Sequence, residues 1–282
     1  MKKTDYNMNM SRRCANCDKS FVGRFCPECG QKVIIHDDRK VVYFFGELLA
    51  ALTFADNKFW RSLRAIILHP GLVSSEISRG VTVKYMKPIS FFLLGNLLYF
   101  LFPVFETFNT KLTAQMEMLS YSQILNLSDV VNERISEAGT TLSEFREDYQ
   151  IQSTTVSKLM LIVIVPIFAL LTAIVAFDKR KLFFDHLIFS LEYFSFVIFV
   201  CTVFLSYLLI GISVFIKLNW NDTILIPIIF VLATGFLIRG VRRFYQYSWW
   251  RSIITGLGLF VATYLSLEIY RLLLFWVTIW TM

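Results

Sequence analysis

Charge is scarce in this 282-residue chain: Asp, Glu, Lys and Arg make up 17% of it, against about 25% in a soluble globular domain. Histidine is scarcer still, with 3, and glycine and proline number only 12 and 6. Few glycines and prolines exclude collagen-like and low-complexity classes. Five cysteines in a chain of this length exclude a disulfide scaffold. The usual phosphate, dinucleotide, hydrolase and metalloprotease signatures are missing: no Walker loop, no G-x-G-x-x-G, no G-x-S-x-G and no H-E-x-x-H. No enzyme is read from it. Of the histidines, His36 follows a cysteine cluster and His69 precedes a proline. His186 beside Asp185 is the one acid/base pairing, and adjacent helical residues do not face each other.

What the chain has in excess is apolar surface. Hydrophobic residues make up 56%, aromatics 16%, and mean hydropathy is +0.57. Disorder needs the opposite composition. The reading is an all-α integral membrane protein. Five apolar segments, at about 88–105, 159–177, 187–216, 223–239 and 253–280, approach or exceed the ~20 residues that cross a bilayer. Pro103, Pro166 and Pro227 lie in or near them, where kinks are tolerated.

Lys and Arg orient the spans. Residues 1–87 hold 15, the 106–158 loop four, the 178–186 loop Lys179, Arg180 and Lys181, the 217–222 loop Lys217, and the 239–252 loop Arg239, Arg242, Arg243 and Arg251. This alternation predicts a cytoplasmic N-terminus and an external C-terminus in a plasma (inner) membrane. The first 40 residues are polar and no cleavage site follows the apolar run Val41–Ala55, so a retained N-terminus is expected. The net charge of +7 sits mostly beside the spans, and no basic stretch is interleaved with stacking aromatics, which disfavours nucleic acid as partner.

Four domains follow: a polar tail at 1–13, a cysteine module at 14–31, amphipathic helices at 32–87 and the membrane domain at 88–282. Between 41 and 87, Phe45, Leu48, Leu49 and Leu52 share one helical face, and Phe59, Leu63, Ile66 and Ile67 another. Such helices lie on a membrane surface or form a small cytoplasmic core. The 106–158 loop carries eight acids and reads as a small external helical segment. Ser128 and Thr141 are the expected N-caps, with Thr141 and Glu144 forming a capping box.

Cys14-Ala-Asn-Cys17 and Cys26-Pro-Glu-Cys29-Gly30 are two C-x-x-C knuckles whose thiolates can converge tetrahedrally on a structural Zn²⁺. Gly30, and Asp18 in the same place after the first knuckle, suit positive φ. The spacer Asp18–Phe25, with Gly23, is expected to form a short hairpin. A rubredoxin-like iron site and redox thiols are the rivals; stable disulfides do not suit a cytoplasmic segment. Four Cys close the coordination sphere and leave no position for catalysis. Cys201 reads as a packing residue.

Ionisable residues within spans default to functional hypotheses. They are Glu192, Glu268 and Arg271; Asn96 adds a hydrogen-bonding group in the first span. Glu268 and Arg271, three apart, read as a mutually neutralised pair, as an Arg271 that snorkels outward, or as part of a pathway. Glu192, close to Asp185 and His186, reads as a solvated helix start or as a titratable cytoplasmic cluster.

Several motifs occur in order: Cys26-Pro-Glu-Cys-Gly-Gln31, Phe54-Ala-Asp-Asn-Lys-Phe59, His69-Pro70-Gly71, Ser78-Arg-Gly80 and Lys84-Tyr-Met-Lys-Pro88. Over about residues 14–100 this order resembles the bacterial membrane proteins of the domain of unknown function 3667 family. Members carry a Gly-Lys-Arg-type basic run where this chain reads Gly80-Val-Thr-Val-Lys84, which implies weaker attraction to phospholipid headgroups if that run binds them. The resemblance implies architecture and no reaction. Two expectations of role remain. One is an adaptor or regulatory scaffold whose zinc ribbon contacts a cytoplasmic protein. The other is an oligomeric transporter, channel or pore built on the polar residues of the spans, as a homo-oligomer in the lipid bilayer.

Overall fold

The computed structural model describes residues 11–14, 17–30, 57–81, 84–101, 108–117, 121–205, 207–209, 211 and 222–282. Most of the polar tail, the linker after the cysteines, the helical face of Phe45–Leu52 and the 217–221 loop lie outside the described residues. The chain divides into two compact units, Met1–Asn57 and Lys58–Met282.

In the first unit, β1 (Arg12–Arg13) pairs antiparallel with β2 (Ser20–Phe21), Arg12 opposite Phe21 and Arg13 opposite Ser20. The first knuckle lies between the strands. In the spacer 18–25 the chain bends at Gly23–Arg24 between β2 and a bridge residue at Phe25, and the ladder partner of β2 precedes Cys14. The reason is local. Asp18 adopts φ 58° and donates its amide to the Cys14 carbonyl (3.0 Å), while the Cys14 amide donates to Lys19 (2.9 Å), which turns the chain back on itself at the knuckle.

The second unit is helical. Its elements are α1 (Asn57–Leu68), α2 (Leu72–Ser78), α3 (Pro88–Leu101), α4 (Leu112–Glu117), α5 (Leu127–Ala138), α6 (Leu142–Met160), α7 (Ile164–Val175), α8 (Phe183–Phe196), α9 (Asp222–Tyr245) and α10 (Trp249–Thr281). A 3₁₀ turn, Leu161–Val163, joins α6 to α7 just before Pro166. The proline ring crowds the carbonyl four residues back, at Ile162, and the tighter turn absorbs that clash. Past Phe196, α8 widens into a π-helical stretch, Val197–Phe204. There the Thr202 hydroxyl reaches back five residues to the Val197 carbonyl at 3.1 Å.

Among the described residues three helices are long and apolar enough to cross a membrane: Leu142–Val175, Phe183–Leu209 and Trp249–Thr281. Pro88–Leu101 is a shorter apolar helix of 14 residues. The expected span at 159–177 is the second half of a helix that starts at Leu142. Burial separates the three: 78% of the apolar window of Phe183–Leu209 lies inside the protein, against 33% for Leu142–Val175 and 39% for Trp249–Thr281. Helix α8 is therefore the central post, packed by α2, α3, α7 and α9. The other two turn residues such as Leu170, Ile174, Ile254 and Val261 outward. That much exposed apolar surface suits contact with lipid rather than water.

Helix α10 is 33 residues long, about 50 Å at 1.5 Å per residue, well over the ~30 Å hydrocarbon thickness. Its last turns have a second role. Phe275 and Ile279 join Leu112, Leu127, Val131, Phe145 and Tyr149 in one core. The polar loop thus folds as three helical elements onto the end of α10. Thr141 caps α6: its hydroxyl accepts the Glu144 amide at 3.4 Å, and Glu144 Oε2 accepts the Thr141 amide at 2.8 Å. The other expected N-cap, Ser128, is corrected to Asn126, which precedes Leu127 at φ 47°. Asn tolerates that left-handed geometry, and Ser128 falls in the first helical turn.

Thr141→Ala removes the reciprocal pair and is expected to cost about 1 kcal/mol. Hydrogen exchange of the amides of residues 142–145 should accelerate while those of α8 stay protected. Unchanged protection at 142–145 would mean that the cap contributes nothing there.

Candidate functional site

Each knuckle repeats one local design. The Asp18 amide donates to the Cys14 carbonyl at 3.0 Å, and the Gly30 amide to the Cys26 carbonyl at 2.9 Å. Both residues sit at positive φ, 58° and 72°. The turns place the Sγ atoms of Cys14, Cys17, Cys26 and Cys29 all within 4.8 Å of one another. Cys14 lies 3.5 Å from Cys29 and Cys17 3.6 Å from Cys26. These are free thiols. A tetrahedral ion with metal–sulfur bonds of ~2.3 Å separates its ligands by about 3.8 Å, so the four sulfurs fit a metal ion with shifts of no more than about 1 Å in any pair. The backbone amide of Lys19 draws the Cys17 thiol down, but desolvation and the three neighbouring sulfurs outweigh it and push that thiol up to about 12. A cation among the sulfurs reverses that balance by taking up their negative charge. Cys14 and Cys26 are buried with Phe21, while Val22 and Phe25 stand out in solvent, 57% and 58% exposed. Lys19 pairs with Glu28 at 2.8 Å on the surface.

In the second unit, Glu192 is neither a solvated helix start nor one of a titratable group. It is 2% exposed. Its Oε1 accepts the Gly71 amide at 2.9 Å, and its Oε2 accepts the Ser74 amide at 2.7 Å and the Ser74 hydroxyl. The first amides of a helix have no partner within it, and Gly71 has no side chain to cap its own helix. Glu192, reaching from α8, takes the place of that cap and meets the positive end of the helix dipole. Asp185, two turns earlier on the same face, holds the other end of α2 by accepting the Ser78 hydroxyl at 2.5 Å. Asp185 also caps its own helix through the Leu182 amide at 2.9 Å. The short helix α2 therefore runs antiparallel along α8, pinned at both ends. Lys181 reaches Ser78 at 3.4 Å and lies over the Phe244 ring at 4.0 Å; burial pushes its ammonium down. His186 turns away from Asp185 and meets the Tyr245 hydroxyl at 2.7 Å.

Gly71 fits this place for two reasons. It holds φ 77°, and a Cβ there would lie 2.5 Å from the Gly240 carbonyl oxygen. The His69-Pro70-Gly71 loop thus presses on α9, where Arg243 donates to the Pro70 carbonyl at 3.3 Å. On the other side, Phe59 of α1 meets Phe91 of α3 at 5.5 Å and Phe199 of the π-helical stretch at 5.8 Å. Arg79 and Lys84 of the two basic motifs both pair with Glu76.

The remaining sites lie apart from Glu192. Asn96 donates to the Lys158 carbonyl at 3.3 Å, a bond between helices. Glu268 and Arg271 pair with each other at 3.4 Å, and Glu268 Oε2 and Arg271 Nε are buried with no hydrogen-bond partner. Next to them, Gln115 donates to the Arg271 carbonyl (3.2 Å) and accepts from Tyr121 (2.7 Å). Cys201 is fully buried. Sequence reasoning missed Ser74 and the pairing of α2 with α8. The seven-residue spacing of Asp185 and Glu192, which puts two acids on one face, was the signal available.

A family model described as "Protein of unknown function (DUF3667)" matches residues 56–100. The match spans α1, α2 and the first 13 residues of α3 and stops short of the cysteines. No curated protein and no solved structure matches the chain. The matched segment is the one that Glu192 and Gly240 receive.

Glu192→Leu leaves the Gly71 and Ser74 donors buried without an acceptor and is expected to cost several kcal/mol. Glu192→Gln keeps one acceptor oxygen and should cost less. The check is the thermal transition of the purified protein, with limited proteolysis between 57 and 87 reading the release of α2. Equal stability of the Leu and Gln variants would refute the capping role.

Proposed function

We propose that this protein is a five-span inner-membrane adaptor, N-terminus cytoplasmic and C-terminus external, whose Cys14-Cys17-Cys26-Cys29 zinc ribbon recruits a cytoplasmic protein. The single observation that carries the reading is the closed geometry of the four thiols, with Val22 and Phe25 exposed beside them. A four-sulfur site leaves no open position for a reacting water, so the ion's work is structural. It makes a 17-residue segment foldable that has no core of its own, and that segment then displays apolar side chains. Zinc suits the site because it is borderline-soft and accepts tetrahedral sulfur without redox chemistry. Helices α3 and α9, beside the three longer apolar helices, complete five crossings, and the Lys/Arg bias of the loops supports a cytoplasmic N-terminus.

The alternative is a transporter, channel or pore formed by an oligomer. The buried Glu268 Oε2 and Arg271 Nε without partners are the observation in its favour. Against it stand Glu192, spent on capping α2, and Asn96, spent on bonding Lys158.

Elemental analysis of the purified full chain is expected to give about one zinc per chain, lost in the Cys14→Ser/Cys26→Ser double variant. Iron with a thiolate absorption band would overturn the zinc assignment. Mass spectrometry of material purified in mild detergent should find a stoichiometric protein partner with the native chain and none with the double variant. A chain that purifies alone or only with itself, or a partner retained by the variant, would overturn the adaptor reading.

A further inference from the structure

Between the His69-Pro70 loop and the turn joining α9 to α10 lies a cleft of about 440 Å³, lined by Leu68, Pro70, Arg239, Arg242, Arg243 and Trp249. Three guanidinium groups line it and no carboxylate does. Among the described residues none of the three arginines has an ion pair. Two of them are held in place by other means. Arg243 donates to the Pro70 carbonyl at 3.3 Å, and Arg242 lies over the Trp249 ring at 3.9 Å. Neither arrangement neutralises charge, so a preset, uncompensated cationic site results. Arg180, by contrast, is neutralised by an ion pair with Asp178 at 2.7 Å.

Exposed apolar side chains line the cleft and stand next to it in sequence. Leu68, Trp249 and Trp250 are 55%, 52% and 79% exposed. Tryptophan in this position marks the boundary between hydrocarbon and headgroups. Guanidinium groups read phosphate oxygens through paired, planar donors.

We propose that this cleft binds a phosphate group, supplied by the headgroup of an anionic phospholipid, with Arg239 and Arg242 as the principal ligands and Trp249 against the glycerol and upper acyl carbons. The lipid seals the joint between the His69-Pro70-Gly71 loop and α9. This site is distinct from the cysteine module and holds whether or not the chain is an adaptor.

The test is native mass spectrometry of the full chain in detergent, titrated with phosphatidylglycerol or phosphatidylcholine. Comparison is with Arg239→Gln/Arg242→Gln and with Lys179→Gln/Arg251→Gln, a control of equal net charge outside the cleft. The native chain is expected to retain one phosphatidylglycerol in preference to phosphatidylcholine. The cleft variant should lose at least about tenfold in affinity and the control less than about twofold. Trp249→Leu, read in the same titration, should weaken retention while keeping every charge, and serves if the double arginine variant does not fold. Displacement of the lipid by millimolar inorganic phosphate would keep the phosphate site but assign it to a soluble phosphate. Equal losses in the cleft and control variants, or equal retention of the two lipids, would overturn the proposal.

Discussion

The carboxyl group of Glu192, closed over the N-terminus of α2, is the interaction on which the docking of α1 and α2 onto the helical unit depends. Seven residues are too few for a helix to persist in isolation, and a buried acid without donors is among the costliest groups a protein can hold. Each solves the other's problem. The bonds join residues 118 and 121 apart in the chain. Once they form, Gly71 must meet Gly240, Ser78 must meet Asp185, and Pro70 is presented to Arg243. The arginine cleft is a consequence of that docking, since two of its six lining residues, Leu68 and Pro70, arrive with the loop that Glu192 holds.

The two units rest on different physics. The helices from α1 to α10 bury large aromatic side chains, among them Phe91, Phe92, Phe168, Phe189 and Phe194, around the central post. The cysteine module has Phe21 and little else, so its order must come from the sulfurs and whatever joins them. That contrast is why cysteine substitutions should spare the membrane helices, and why the loss of Glu192 should spare the knuckles.

Much of this was legible in the sequence because it is local. The capping box at Thr141 and Glu144 needs three residues, the positive φ at Asp18 and Gly30 needs one turn, and apolar run length alone marks the long helices. The errors are also local. Asn126 won the cap from Ser128 because it tolerates a left-handed backbone. The pairing of β2 with β1 across the first knuckle came from the turn at Asp18, which the spacer's Gly23 did not announce. Glu192 illustrates what periodicity cannot supply: its donors are backbone amides, which every residue carries, on a segment over a hundred residues away. Only its spacing from Asp185 pointed to a shared face, and nothing local said what would lie on that face.

The acids in the apolar helices differ for a reason that helix length exposes. Glu192 lies nine residues into α8, on the most buried post, where a polar group must find every partner inside the protein. It does. Glu268 lies just past the middle of α10, a helix about 20 Å longer than the hydrocarbon it could cross. The turns beyond it are already covered by α4, α5 and α6, and Gln115 and Tyr121 sit close by. Beside such neighbours an unshared oxygen is cheaper, since polar side chains supply a less hostile surrounding than acyl chains. An incompletely paired Glu268 with polar neighbours is therefore weaker testimony for a transport path than the same group surrounded by acyl chains would be.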